Sequence, residues 1–370
     1  MPILCFATKG AGSNEDRRIN TLVGRLPNQP FQFDRTAKFQ SFKRLLAQIM
    51  RDRPDLVVME GTGIAGGLAC MLGRLLSGSR YVVSSGDAVG PFVAGQIRLL
   101  GPFFAVYERL LCRFASGFIG WTPYLAGRAL TFGVPRAMTA AGWAEFDCDP
   151  ARFAEARRRA REALGIPLDS VVFGIVGSLI WNRRRRYCYG AELVRAAALL
   201  QRKDVCVLVV GGGSGLPRLQ TLAGGMLGRT IFLPGPVSSD LVPEYMAAMD
   251  VGSLPQSVDG VGSFRYTTKI SEYFATRLPL VTGEIPLAYD LDSGWLWRLP
   301  GSAPWEQQYV AALANLMNVL TPQELMAKKE ALPGNLAEFD RERQVARATE
   351  FFSDLLSKMA PASPQSDRNR

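Results

Sequence analysis

Between residues 171 and 286, short apolar runs end in glycine-rich turns and alternate with helical segments, and few folds accept that pattern. Val171–Val176 ends in Gly177-Ser178, Val205–Val210 ends in Gly211-Gly-Gly-Ser-Gly215, and residues 230–233 run into Pro234-Gly-Pro236. Val251–Leu254 and residues 280–282 complete the set, with helical stretches at about 189–200 and 241–249. A strand that is apolar at every position is buried on both faces, so the pattern predicts a parallel sheet covered by helices on both sides. At 370 residues the chain is long enough for two such domains.

Residues 264–286 concentrate the chemistry. Thr267 and Thr268 are expected to cap a short helix, with Ile270, Tyr273 and Phe274 on its buried face and Pro279 ending it. Glu272 falls in the first turn, off that face, where its charge suits the positive end of the helix. A carboxylate there, above a parallel sheet, can accept both hydroxyls of a ribose, beside backbone N–H groups free to receive phosphate. The commoner role for such an acid is to steady its own helix. The strand-and-turn pattern before it favours the ribose.

Taken in order, Gly177-Ser-Leu179, the Val-Gly-Gly-Gly loop at 210–213, Leu233-Pro-Gly-Pro-Val237, Tyr245-Met-Ala-Ala-Met-Asp250 and Thr268-Lys-Ile-Ser-Glu-Tyr-Phe-Ala275 resemble the retaining glycosyltransferases of family 4. The resemblance is clear over about a third of the chain and looser over its first half. It implies the GT-B fold: an α/β chain of two Rossmann-like domains with parallel sheets facing across a cleft. The expected divisions are 1–150 for the acceptor domain, 151–170 for a linking helix, 171–335 for the nucleotide-sugar domain, 336–359 for a helix crossing back, and 360–370 for a disordered tail. The implied activity is sugar transfer from a nucleotide donor to an acceptor, retaining and without a metal. No cofactor is expected; the donor is a UDP-, GDP- or ADP-sugar. The resemblance puts Gly177, Ser178, Gly211, Gly262, Ser263, Lys269 and Glu272 at the donor.

The sequence departs from that family twice. Relatives carry an Arg after the first strand's glycine and a Lys before the next helix to grip the donor diphosphate; here Ser178 and Tyr189 stand there. Between them lies Trp181-Asn-Arg-Arg-Arg-Arg186, so Arg183 and Arg184 are expected to supply the cations, since guanidinium holds phosphate bidentately. A basic run is otherwise a solvated face. The first acid of the family's Glu-x7-Glu pair is replaced by Phe264, leaving Asp259 or the glycine loop around it to bind the sugar. These departures raise a second reading, a GT-B-shaped binding protein that has lost activity.

In the first half, Gly10, Gly12 and Ser13 follow the first strand and are expected to line the acceptor side. Asp87, at the end of another strand, is expected to hold a sugar or acceptor hydroxyl; with Asp259 it is the candidate catalytic carboxylate. Gly61-Thr-Gly-Ile-Ala-Gly66 is a full G-x-G-x-x-G between strand and helix, and raises a third reading, an NAD(P)-linked enzyme. Residues 92–114 interleave large apolar side chains with Arg98, Arg109 and Arg113. The core is the expected place for such a stripe, and an anionic membrane surface is the alternative. Asp147 and Asp149 have the Asp-x-Asp spacing of a metal site but fall in an expected link, and are read as coincidence.

Histidine is absent, which removes Ser-His and Cys-His nucleophile systems, histidine bases and His-bound zinc. The net charge of +10 implies anionic partners. These are taken to be a nucleotide-sugar and an acceptor glycan, lipid or small molecule, with an anionic membrane surface and no nucleic acid. No run of apolar residues is long enough to span a bilayer, and residues 2–7 read as a first strand rather than a signal peptide. Six cysteines without a Cys-x-x-Cys pair suit a reducing cytoplasm, with the inner membrane face as the peripheral alternative.

Overall fold

The computed structural model describes residues 3–146 and 150–357, so Asp147, Asp149 and the 360–370 tail lie outside the described residues. The chain divides into two compact units. The first holds the chain up to Gly142, Phe264–Tyr266 and the chain from Ala337 on; the second holds Trp143–Ser263 and Thr267–Leu336.

The first unit is built on a six-stranded parallel sheet in the order β2-β1-β3-β4-β5-β6. Its strands are β1 (Ile3–Ala7), β2 (Asn28–Pro30), β3 (Leu56–Glu60), β4 (Arg80–Ser85), β5 (Gly117–Gly120) and β6 (Ala137–Thr139). Every residue of β1 and β3 is buried, as the apolar runs Ile3–Ala7 and 56–59 require, with Glu60 buried at the end of β3. The short β2, polar and ending in proline, has no apolar signal and was not legible in the sequence; it is an edge strand, where proline is tolerated. The helix Arg341–Ser357 also lies in this unit, burying Val345, Ala348 and Phe352.

The second unit repeats the plan in the order β12-β11-β10-β7-β8-β9. Its strands are β7 (Val171–Val176), β8 (Val205–Val210), β9 (Ile231–Gly235), β10 (Val251–Leu254), β11 (Leu280–Gly283) and β12 (Leu296–Leu299). From β7 the chain moves outward through β8 and β9, then returns to place β10 on the other side of β7. Such a reversal opens a crevice beyond the carboxyl ends of the two central strands, where ligands of parallel α/β sheets bind. The helix Pro150–Leu164, expected as a link, packs inside this unit. Its Arg161, fully buried, donates to Asp250 (2.7 Å) and to the carbonyls of Ala248 and Ser170. Asp250 also accepts from Arg157 (2.8 Å) and from the Val172 N–H (2.9 Å), which ties this helix to the start of β7.

The 92–114 stripe is not core throughout. The helix Gly101–Phe114 buries Tyr107, Glu108, Leu111 and Cys112. Phe103 (59 % exposed), Val106, Leu110 and Phe114 lie on its open face, and Leu99 before it is 91 % exposed. A helix with apolar residues on all sides fills the core with one face only, and the remaining apolar face is left in water.

Candidate functional site

In the second unit the crevice at the β7/β10 reversal receives the helix Lys269–Ala275. Ile270 and Tyr273 anchor it from below, both buried, and the Tyr273 ring lies where a Cβ on Gly252 of β10 would stand. Phe274 meets Trp295 edge-on. Lys269 and Glu272, off the anchored face, are half-buried. The Lys269 ammonium reaches the end of β7: a Cβ on Gly177 would come within 2.9 Å of its Nζ. The same Nζ stands 4.8 Å over the Tyr189 ring. A cation therefore occupies the space beside the glycine, although Ser178 and Tyr189 hold the positions expected to carry one. Tyr189 is its seat, since an aromatic face attracts an ammonium.

The predicted capping differs in one respect. Thr268 is already helical (φ −55°, ψ −23°) and its hydroxyl makes no cap bond; with the chain in that conformation it does not turn back onto the first free N–H. Burial pushes the Glu272 carboxyl above its ordinary range, and the Lys269 ammonium and Thr268 hydroxyl pull it back in part. The turn thus presents an ammonium and a carboxylate, while its Ile270 N–H is taken by the Thr267 carbonyl (3.1 Å) and its Glu272 N–H by the Thr268 carbonyl (3.0 Å).

Gly211 carries φ +144°, and a Cβ on it would strike the Gly177 carbonyl oxygen at 1.8 Å. Its glycine is needed to bring the β8 loop against the β7 loop. After β10, Asp259 closes a tight loop. Its Oδ1 accepts the N–H groups of Val261 (2.8 Å) and Gly262 (2.9 Å), and Ser263 N–H returns to its carbonyl. Burial raises the Asp259 carboxyl, but those two N–H bonds, the Ser257 hydroxyl and Arg185 outweigh it and hold the group below its ordinary value. It is an anion that shapes a loop, with its second oxygen 4.0 Å from Arg185.

Arg183 and Arg184 sit exposed at the tip of a hairpin closed by Asn182 and Tyr187. The inward arginine is Arg185, stacked 4.4 Å from the Trp305 ring centre. Four consecutive arginines look alike in a sequence; only the hairpin register sorts them.

In the first unit, Gly10 (φ +101°) and Gly12 (φ +77°) form the turn after β1. Ser13 caps the helix Asn14–Val23 by accepting from Asp16 N–H (3.1 Å) and donating to Gly10 O (2.7 Å). Asp87 accepts from Arg265 Nε (2.6 Å), a partner that sequence spacing did not reveal. Behind them Glu60 and Arg18, both buried, pair at 2.7 Å, and Trp121 Nε1 donates to the other Glu60 oxygen.

The G-x-G-x-x-G does not form a dinucleotide cradle. A Cβ on Gly61 or Gly63 would meet Thr8, one on Gly66 would meet Phe6 at 2.7 Å, and one on the next residue, Gly67, would meet the Tyr107 hydroxyl at 2.1 Å. Tyr107 also donates to Gly63 O (3.1 Å). The space that small residues keep open for a pyrophosphate is filled by the chain's own side chains, so these glycines serve helix-on-strand packing.

Comparison with known proteins places this geometry. Residues 3–141 match the glycosyl transferase 4-like domain; the sequence signals were clearer in the second unit, so the first is the half that family comparison adds. No curated protein matches the sequence. Among solved structures, Anabaena HepE in complex with UDP-glucose superposes with a TM-score of 0.69 at 17 % identity, covering 96 % of this chain and 100 % of that one. Sucrose-phosphate synthase from Thermosynechococcus elongatus gives 0.71 at 13 %, over 97 % and 100 %. WaaG, a glycosyltransferase involved in lipopolysaccharide biosynthesis, gives 0.64 at 15 %, over 95 % and 99 %. The chain therefore carries a glycosyl transferase 4-like domain at residues 3–141 and, over nearly its whole length, has the GT-B fold of the glycosyltransferase enzymes.

Proposed function

We propose that this protein transfers a sugar from a uridine diphosphate sugar to an acceptor, with retention at the anomeric carbon and without a metal ion. The observation that carries the reading is the single turn that holds Lys269 against Gly177 and Glu272 one turn on, at the sheet's reversal point. Glu272 accepts the ribose hydroxyls, Lys269 neutralises the diphosphate, and the Asp259–Gly262 loop receives the sugar. Uridine is chosen over other bases because HepE, which shares the fold, is solved with UDP and with UDP-glucose.

Calorimetric titration tests the donor. Glu272→Gln keeps the shape but weakens charge-assisted bonds, so UDP affinity falls about ten- to a hundredfold. A 2′,3′-dideoxy analogue already lacks those bonds and loses little. Equal losses for both ligands would remove Glu272 from the ribose.

The acceptor is carried at an anionic membrane surface, on the inner face. The support is the open face of Phe103, Val106, Leu110 and Phe114, flanked by Arg109 and Arg113 and preceded by Leu99 and Arg98. Apolar side chains enter the acyl boundary while arginines meet lipid phosphate. No helix among the described residues is long and apolar enough to cross a membrane. Vesicles containing anionic lipid should sediment the protein at low salt and release it at high salt; equal, negligible binding to anionic and neutral vesicles would reject the surface.

Phe264 favours a second reading, a binding protein without turnover. Its place in the sequence is the family's first acid, yet its ring packs with the first unit's core and lies under Arg128. UDP binding without consumption of UDP-glucose in the presence of acceptor vesicles would establish that reading over the first.

A further inference from the structure

A second basic site lies in the other helical layer of the second unit. A cavity of about 360 Å³ is lined by Arg185, Arg186, Arg195, Trp305, Gln307 and Val310. It stands above the layer formed by the helices Ala191–Ala197 and Gln307–Val319, which share one core with Val251 of β10. Gly252, next to Val251, points to the opposite face, where Tyr273 of the Lys269–Ala275 helix covers it.

The cavity is positive and held in shape. Arg186 makes no ion pair among the described residues, and Arg195 commits only one terminal nitrogen to a carbonyl, donating to Arg186 O (2.6 Å). Arg185 is stacked on Trp305, and Tyr187 meets the same indole edge-on at 5.4 Å. The hairpin is locked by the mutual bonds of Asn182 and Tyr187 and by the Asn182 side chain on Arg185 N–H (3.0 Å). Arg186 closes it at φ +50°, a left-handed conformation that costs a non-glycine residue energy. The Gln307–Val319 helix brings its first turn to the rim, and its N-cap residue, Glu306, makes no cap bond because its carboxylate is held by the Ser302 hydroxyl (2.7 Å). Asp259, 4.0 Å from Arg185, and Glu306 are the nearby acids; neither lines the cavity.

We propose that this cavity binds a phosphate group, through Arg186, Arg195 and the N–H groups at the start of the Gln307–Val319 helix, with Trp305 and Val310 as the apolar wall for the molecule that carries it. Guanidinium forks and a helix start are both matched to phosphate oxygens. Its volume exceeds that of one phosphate and leaves room for a sugar-sized body against the indole. The phosphate belongs either to the donor or to a separate phosphorylated molecule. The site rests on its own residues and does not need the donor assignment at Glu272 to hold.

The test is calorimetric titration with inorganic pyrophosphate and with glucose 6-phosphate, at fixed salt, on the full chain. One variant pair is Arg186→Asn with Arg195→Met; asparagine tolerates the left-handed conformation. The control pair, Arg183→Asn with Arg184→Asn, removes the same charge from the hairpin tip outside the cavity. The cavity pair should lose at least about tenfold in affinity for both probes and the tip pair less than about threefold. Repeating the titration with UDP at saturation separates the sources: competition assigns the phosphate to the donor, and simultaneous binding assigns it to a second molecule. Equal losses in the two pairs would mean general attraction by basic charge, and no binding of either probe to the parent protein, or none lost in the cavity pair, would overturn the site. Glu272→Gln serves as an independent check, because it should leave pyrophosphate binding at the cavity unchanged whatever it does to UDP.

Discussion

Glu192 offers a direct test of the second unit's core, because its environment fixes both the sign and the size of the effect. It lies in the first turn of the helix Ala191–Ala197 and is fully buried, accepting from the Tyr187 hydroxyl (2.8 Å) and the Ser253 hydroxyl (3.0 Å). No cation pairs with it among the described residues. Burial pushes its carboxyl up from 4.5 to about 7, with the Tyr187, Ser253 and backbone bonds opposing. The folded protein therefore keeps this proton where the unfolded chain has lost it. The stabilisation is complete below pH 4.5, drains away as pH rises through about 7, and is gone above that. At about 1.36 kcal/mol for each pH unit, the loss is on the order of 3 kcal/mol. Glu192→Gln removes the titration while leaving an amide able to bond the same hydroxyls, so across pH 5 to 8 the variant should gain about 3 kcal/mol relative to the parent. Urea unfolding followed by tryptophan fluorescence measures this, since Trp143, Trp181, Trp295, Trp297 and Trp305 all lie in the second unit and only Trp121 in the first. Parallel stability profiles for the two proteins over that range would show that Glu192 does not hold a proton in the folded state.

Three further outcomes follow from the same structure. Asp250→Asn leaves Arg161 buried beside a neutral partner and should cost roughly 3–5 kcal/mol, read as a fall in the urea midpoint of the second unit. Gly211→Ala places a Cβ 1.8 Å from the Gly177 oxygen at a positive φ; it should cost about 1–3 kcal/mol and weaken UDP binding by displacing the β7 loop, both measurable in one thermal-shift series with and without UDP. Phe264→Glu restores the acid of the related pattern but should not raise UDP-glucose turnover, and should lower the first unit's melting temperature; a gain in turnover would show that the position reaches the sugar.

The sheets of both units were legible because central strands such as β8 are apolar at every position and β3 is apolar up to its final Glu60, a signal that survives without knowing the partners. Edge strands were not: β2 is polar and three residues long, and its pairing with β1 is fixed by tertiary placement. Glu272 and Lys269 could be named because the helix spacing itself turns them off the buried face. The arginine run could be seen but not resolved, since which of four identical side chains turns inward depends on the hairpin bridge between Asn182 and Tyr187. The G-x-G-x-x-G misled for a related reason. A glycine records only that something comes close, and here Thr8, Phe6 and Tyr107 come close, from residues far away in the sequence.

The Phe264 position shows why spacing fails where a chain changes unit. Counting from Glu272 assumes that the intervening residues stay in one body. Instead Ser263 and Thr267 belong to the second unit and the three residues between them to the first. There they are fully engaged. Thr122 Oγ1 donates to the Phe264 carbonyl (2.9 Å), Arg265 holds Asp87, and the buried Tyr266 hydroxyl donates to Gly142 O (3.0 Å) while its ring meets Trp121. A glutamate at 264 would put a carboxylate against the apolar side chains of that core, so the aromatic residue is the one its surroundings select. The polar chemistry carried by this excursion is the Arg265–Asp87 pair. It commits one oxygen of the Asp87 carboxylate, 41 % exposed, to a guanidinium, so the two side chains of this pair are fixed by each other.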